Sequence, residues 1–264
     1  MTEIDILFRR GIRDPRGSIA WLIGGSKKFN ELERQRAPKR LAKYLGVSSD
    51  EINNLIHEAR ESHFSVLLSE MATRYVLLGA LNDPEYLYAI CRILRPRVVV
   101  ETGVANGVSS GFILQALIRN GSGHLFSIDL PNHDVALIRS GVKGYRMDNR
   151  LEGDSLLPRG KSPGWLVPDD FRSLWTLKLG LSSELLPDLV RQEDPIDIFL
   201  HDSEHTYRNM MFEFKTVWPH LKSGGLLVSD NVNWENNRAF YDFARSVKTA
   251  PCYLPNAKAL LRKK

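Results

Sequence analysis

From residue 98 onward, short apolar runs alternate with amphipathic stretches, and this alternation constrains the fold more than any other feature of the sequence. The apolar runs are Val98–Val100, His124–Ile128, Trp175–Leu179, Ile196–Leu200 and Leu226–Val228. Helical patterns follow most of them, at Ser109–Arg119, Ser183–Arg191, Thr206–Leu221 and Arg238–Lys248. Strands separated by helices need crossover connections, which predict an α/β domain with a doubly wound, mostly parallel sheet covered on both faces. Such sheets bind ligands at the carboxyl ends of their strands, near the point where strand order reverses.

Residues 1–95 read differently, as a helical N-terminal extension without a convincing strand. Ser48-Ser49-Asp50-Glu51 is a helix-start pattern, and Phe64, Leu67, Leu68, Met71, Tyr75 and Leu78 recur at helical spacing. Asp83-Pro84 opens a further helix that Pro96 closes. The division expected is therefore 1–95 and 96–264, with an insertion at about 131–172, where glycines and prolines are too dense for a regular crossover. An apolar stripe from Phe64 to Leu78 needs a cover. The helices are expected to pack on the α/β domain, over its substrate mouth or in a homo-oligomer interface.

Composition narrows the class. The chain is 43% hydrophobic and 25% charged, enough to bury a substantial core. No apolar run approaches the ~20 residues that span a bilayer, and Glu3 and Asp5 are unlike a signal peptide. Cys91 and Cys252 alone make neither a disulfide framework nor a zinc cluster, so a reducing cytoplasm is the expected location. The net charge of +5 is dispersed along the chain, which argues against a nucleic-acid partner or a membrane surface.

The chemistry gathers at the ends of the expected strands. After the first comes Glu101-Thr102-Gly103-Val104-Ala105-Asn106-Gly107-Val108-Ser109-Ser110. Gly103 and Gly107 permit a tight turn and a close backbone approach, and the following helix aims unpaired N–H groups at a ligand. Three residues between the glycines is not the spacing of a pyrophosphate loop. Asp129 ends the second run, where a carboxylate can accept from both ribose hydroxyls. Ser182 or Ser183 follows the third, one of them as an expected helix cap. The fourth leads into His201-Asp202-Ser203-Glu204-His205-Thr206-Tyr207, and the fifth into Asp230-Asn231. On adjacent strands, Asp202, Asp230 and Asn231 would form a hard-oxygen set suited to Mg²⁺, Mn²⁺ or Ca²⁺. The alternative is that Asp202 caps a helix beginning near Ser203 and Asp230 braces the loop before Trp234.

The Glu101–Ser110 pattern resembles motif I of class I methyltransferases, where the loop holds the amino-acid part of S-adenosylmethionine. Together with Gly164-Trp165-Leu166-Val167-Pro168 and the His201–Tyr207 block, it resembles the methyltransferase domain 24 type. That type is similar to the metal-dependent catechol, caffeoyl-CoA and sugar O-methyltransferases. The resemblance implies a seven-stranded Rossmann-like sheet and methyl transfer from S-adenosylmethionine to an oxygen of a small hydroxylated acceptor. It implies that Glu101, Thr102, Gly103, Asn106, Gly107, Ser109 and Ser110 surround the methionine end. Asp129 would take the ribose, Ser182, Ser183 and Asp202 would lie near the cofactor, and Asp202, Asp230 and Asn231 would hold Mg²⁺ or Mn²⁺. Catechol enzymes place a lysine base where this chain has His205, and sugar enzymes an aspartate base where it has Glu204. Both therefore stand as candidate bases. A metal-independent enzyme using His205, and a cofactor-binding module without catalysis, remain alternatives. Trp218 is expected in the core and Trp234 at the wall of the acceptor pocket.

Overall fold

A computed structural model describes residues 31–75, 77, 80–130, 157–158, 160–233 and 237–264. Leu78, Trp234 and most of the expected insertion lie outside the described residues. Four helices come first: α1 over residues 31–45, α2 Ser49–Arg60, α3 His63–Arg74 and α4 Glu85–Leu94. The serine expected to start α2 does so, since Ser48 Oγ accepts from Glu51 N. Then follow β1 Val98–Thr102, α5 Val108–Asn120, β2 His124–Asp129, β3 Trp175–Leu179 and α6 Ser182–Gln192. The chain closes with β4 Ile196–His201, α7 Tyr207–Val217, β5 Leu221–Ser229, α8 Ala239–Ser246, β6 Cys252–Leu254 and β7 Lys258–Arg262.

The sheet has seven strands in the order β3-β2-β1-β4-β5-β7-β6. β1 to β5 are parallel, and β7 runs antiparallel to β5 and β6. Strand order reverses between β1 and β4, so the crevice expected to hold a ligand lies over their carboxyl ends. β4 (IDIFLH) is buried at every position, as a central strand covered on both faces must be.

Neighbouring positions of β1 feed opposite faces, as the two-residue period requires. Val99 joins a core built with Leu41, Ile52, Phe64, Tyr88, Phe112 and Leu125. Val100 joins a second with Leu186, Phe199, Phe214, Phe240 and Leu227. The N-terminal helices thus contribute to the same core that packs under the sheet. Phe64 is fully buried with its ring against Phe112, and Gly111 of α5 leaves room for it: a Cβ there would lie 2.0 Å from the Phe64 ring.

Several local expectations are corrected. The helix expected over Thr206–Leu221 is shorter. Thr206 caps it, Val217 ends it, and a 3-10 turn at Trp218–His220 hands over to β5. Asp202 therefore does not cap that helix. Neither Ser182 nor Ser183 caps α6: the cap position is Leu181 and carries no side-chain bond. β6 and β7, one three residues long and the other charged at its ends, complete the seven strands the resemblance implies, though the apolar runs located only five of them.

Candidate active site at the carboxyl ends of the strands

The parallel ladder continues one residue past the strands. Gly180 N donates to Asp129 O, Gly103 N to Ile128 O, Asp202 N to Thr102 O and Asp230 N to His201 O. These bonds set Asp202 and Asp230 side by side, as their places after adjacent strands predicted. Gly103 is required here for a specific reason. Its φ is +86°, and a Cβ would lie 2.1 Å from the Asp202 carbonyl oxygen. Gly107, at φ +90°, faces the backbone of Gly164, 2.9 Å from where its Cβ would be. In each case the close approach is to the protein's own backbone.

Glu101 is completely buried, and its oxygens accept from the hydroxyls of Ser109, Ser110 and Ser127 at 2.5, 2.6 and 2.7 Å. Burial raises its carboxyl above the usual range while the three donors oppose that rise. Glu101 ties the start of α5 to β1 and β2, and Ser109 and Ser110 are the other half of that tie. Asp129 holds the intervening loop: its Oδ2 accepts from Val104 N and Ala105 N at 3.1 and 2.7 Å. The segment 160–168 folds over the loop from above. Gly164 N donates to Ala105 O, Leu166 N to Asn106 O, and Trp165 Nε1 to Asn106 Oδ1 at 2.8 Å. Tyr75 at the end of α3 packs edge-on against Trp165, so the N-terminal helices reach the glycine loop through that pair.

The acidic end is tightly coupled. Burial first, and then the Asp230 charge, push the Asp202 carboxyl well above the usual range. Two carboxyls this close cannot both ionise without a cation or a shared proton. Asp230 Oδ1 is buried without a hydrogen-bond partner. Ligand atoms of Asp202, His205 and Asp230 all lie within 4.8 Å of one another. Asn231, at φ +49°, turns its amide nitrogen to His205 Nε2 at 3.0 Å. Burial, and next the adjacent His201, lower the His205 pKa to about 3, so the ring is held neutral. Glu204 stands apart from this convergence; burial raises its carboxyl, and Thr206 opposes that rise.

Two charged residues here went unnoticed in the sequence. Glu213 on α7 is completely buried and accepts from Thr102 Oγ1 and His201 Nδ1, each at 2.6 Å, and from Ser203 Oγ at 2.8 Å. Burial alone would raise its carboxyl, but His201, Thr102 and Ser182 hold it at about 2. Ser182 thus faces Glu213, while Ser183 is exposed at the start of α6. The available signal was a carboxylate in the apolar stripe Met210, Phe214, Val217. Lys258 in β7 is also buried, donates to Asn82 O, and places its ammonium 3.7 Å from Asp230 Oδ1.

Among the described residues, no helix is long and apolar enough to cross a membrane. Comparison with known proteins agrees with the architecture. The O-methyltransferase TomG of Streptomyces achromogenes, involved in tomaymycin synthesis and solved with S-adenosylmethionine, superposes with a TM-score of 0.52. It is 16% identical, over 77% of this chain and 91% of TomG. The O-methyltransferase of Bacillus cereus, solved with S-adenosylhomocysteine, gives a TM-score of 0.50 at 13% identity, over 76% of this chain and 90% of that one. At such identities the likeness is one of fold. The mycinamicin VI 2''-O-methyltransferase of Micromonospora griseorubida is 27% identical over 114 residues. That match takes in 39% of this chain and spans 29% of the relative's length. The methyltransferase domain model itself matches residues 100–232, from β1 through the Asp230-Asn231 turn. With half its length matched, and with the strand order and loops of that fold, the chain belongs to the methyltransferase-domain family.

Proposed function

We propose that the protein transfers a methyl group from S-adenosylmethionine to an oxygen of a small hydroxylated acceptor, with His205 taking the proton and a divalent cation assisting. The observation that carries this reading is the convergence of Asp202, His205 and Asp230 beside the Gly103–Gly107 loop. The loop, held by Asp129 and by Glu101 through its serines, offers the backbone of residues 103–107 to the methionine end. Asp129 would exchange its bonds to Val104 and Ala105 for ribose hydroxyls, and the Gly180–Ser183 turn borders the adenine. The names of the mycinamicin and tomaymycin enzymes, both O-methyltransferases, support an oxygen acceptor.

His205 is preferred to Glu204 because its Nε2 faces the acidic pair and its side chain remains 17% exposed. The residues present fit a cation: two adjacent carboxyls, the first raised by burial and by the charge of the second, and a buried Asp230 oxygen without a hydrogen bond. Asp202 and Asp230, with Asn231 beside them, would hold Mg²⁺ or Mn²⁺. When bound, such an ion lowers the pKa of a coordinated hydroxyl and fixes its position. The chain's own residues orient the acceptor oxygen and receive its proton at His205 Nε2.

A second reading has its own observation. The Lys258 ammonium already lies beside Asp230, which favours a metal-independent methyltransferase with the same base. Thermal shift with S-adenosylhomocysteine, in Mg²⁺ and in chelator, tests both. Stabilisation that grows with Mg²⁺ supports the assisted reaction; stabilisation indifferent to metal supports the second. No stabilisation in either condition overturns methyl transfer.

A further inference from the structure

Four groups form one line from the buried helix to the mouth of the site: Glu213, His201, His205 and Asn231. Glu213 Oε2 meets His201 Nδ1 at 2.6 Å, His201 Nε2 meets His205 Nδ1 at 3.4 Å, and His205 Nε2 meets the Asn231 amide nitrogen at 3.0 Å. The two ends of this line differ in kind. A carboxylate can only accept, and an amide nitrogen can only donate. With the donor of Asn231 in the last gap, His205 Nε2 must carry a lone pair, so the His205 proton sits on Nδ1. His201 Nε2 must then accept it, which puts the His201 proton on Nδ1, facing Glu213. Every gap holds one proton and no other neutral arrangement satisfies all three.

We propose that Glu213, acting through His201, is a positioning residue that fixes the tautomer of His205 and keeps Nε2, which accepts from Asn231, unprotonated where it faces Asp202 and Asp230. The inference rests on the reading of His205 as the proton acceptor, and it adds two residues that this reading does not need. Carboxylates and carbonyls commonly fix an imidazole by accepting from its second nitrogen. Here a second histidine is interposed, so the anion stands one ring away from the reacting nitrogen. The line is well braced. Ser203 Oγ and Asn209 Nδ2 donate to Glu213 Oε1, Thr102 donates to Oε2, and Asn237 donates to the His205 carbonyl.

Glu213→Gln tests this with the whole chain. Asn209 still requires an oxygen at the Oε1 position, so the new amide nitrogen faces His201 Nδ1. That nitrogen must then accept, the His201 proton moves to Nε2, His205 Nδ1 accepts in turn, and the His205 proton moves to Nε2. Long-range ¹H–¹⁵N spectra of ¹⁵N-histidine protein at pH 8, assigned by single histidine replacements, read which ring nitrogens carry protons. The wild type should show Nδ1–H on both histidines, and Glu213→Gln should move the unprotonated nitrogen of His205 from Nε2 to Nδ1. Glu213→Met, which removes the acceptor without adding a donor, should give a mixture. Ser203→Ala, which removes another of the Glu213 partners, should leave the wild-type pattern. A proton on His205 Nε2 in the wild type overturns the proposal, and needs no variant to fold. So does a wild-type pattern in both Glu213 variants. Thermal shift of the same wild-type sample with S-adenosylhomocysteine separates the two levels: its failure there sinks methyl transfer while the spectra still decide the tautomer.

Discussion

His205 and Glu213 both give the molecule a pH dependence, and they act in the same direction. Burial and the neighbouring His201 lower His205 from about 6.5 to about 3, so the unfolded chain binds a proton there before the folded one does. Stability from this group is full above pH ~6.5 and declines as pH falls toward about 3, by at most ~1.4 kcal/mol per pH unit. Glu213, held at about 2, contributes stability above its unfolded value near 4.5 that is lost as pH falls through about 2. Glu101 and Asp202, raised by burial, work oppositely, losing stability as pH rises through their folded values. Urea midpoints in chelator between pH 7 and pH 5 should therefore decline less steeply in His205→Gln than in the wild type, because Glu101 and Asp202 remain in both. Parallel curves would mean that His205 is not held neutral. The sequence made some of these residues legible and hid others for a physical reason. Asp202 and Asp230 could be paired in advance because each follows a strand, and parallel order makes strand ends neighbours. Glu213 meets Thr102 across 111 residues and Lys258 meets Asn82 across 176, so only folding brings those partners together. What the sequence did show was a charge among apolar neighbours, in Met210–Val217 and in Lys258–Arg262.

At the level of elements, glycines in the same left-handed region carry very different burdens. Gly103 and Gly121 have φ of +86° and +68°, but a Cβ at Gly121 meets nothing within 4 Å. Gly121→Ala should cost only the left-handed strain of about 1–2 kcal/mol. Gly103→Ala adds a collision with the Asp202 backbone and must push the end of β4 away from β1, so its melting temperature should fall well below that of Gly121→Ala. Equal melting temperatures would mean that the β1–β4 contact can yield without cost. The helices before β1 were legible as helices from their spacing, and the apolar stripe correctly asked for a cover. Periodicity asked for packing on the α/β domain but could not show its detail, because contacts such as Phe64 with Gly111 join residues far apart in sequence. Removing residues 1–83 would uncover the faces of α4 and α5 that Ile52, Ile56 and Phe64 now bury. Losing Phe64 alone is on the scale of about 3–5 kcal/mol. The truncated chain should be insoluble or lack a cooperative melt by calorimetry, and a soluble, cooperatively folded product would contradict the shared core.

For the whole molecule, the open question is what neutralises the acidic pair, and Lys258 makes it answerable. Its ammonium approaches Asp230 from β7 while its other bond goes to the Asn82 carbonyl ahead of α4, so one side chain joins the site, the antiparallel part of the sheet and the N-terminal helices. Asp83, next in sequence, is bound by Arg34 and Asn256, which fastens the same corner. A divalent ion and an ammonium compete electrostatically for Asp230, and the competition has a readable sign. Lys258→Met removes a buried cation from a pair of carboxyls, a change of about 3 kcal/mol or more when a partner is left uncompensated. For a chain of this size that is a fall of roughly 6–12 °C in melting temperature in chelator. If a divalent ion belongs at Asp202 and Asp230, Mg²⁺ or Mn²⁺ should stabilise Lys258→Met more than the wild type, because the ion no longer meets a neighbouring positive charge. The bond to Asn82 is lost in either condition and cancels in that comparison. If Lys258 is itself the resident cation, the wild type should be indifferent to chelator, and adding metal should leave the variant as unstable as before. The two-by-two set of wild type and variant, with and without metal, thus separates an assisted enzyme from a metal-independent one before any acceptor is known.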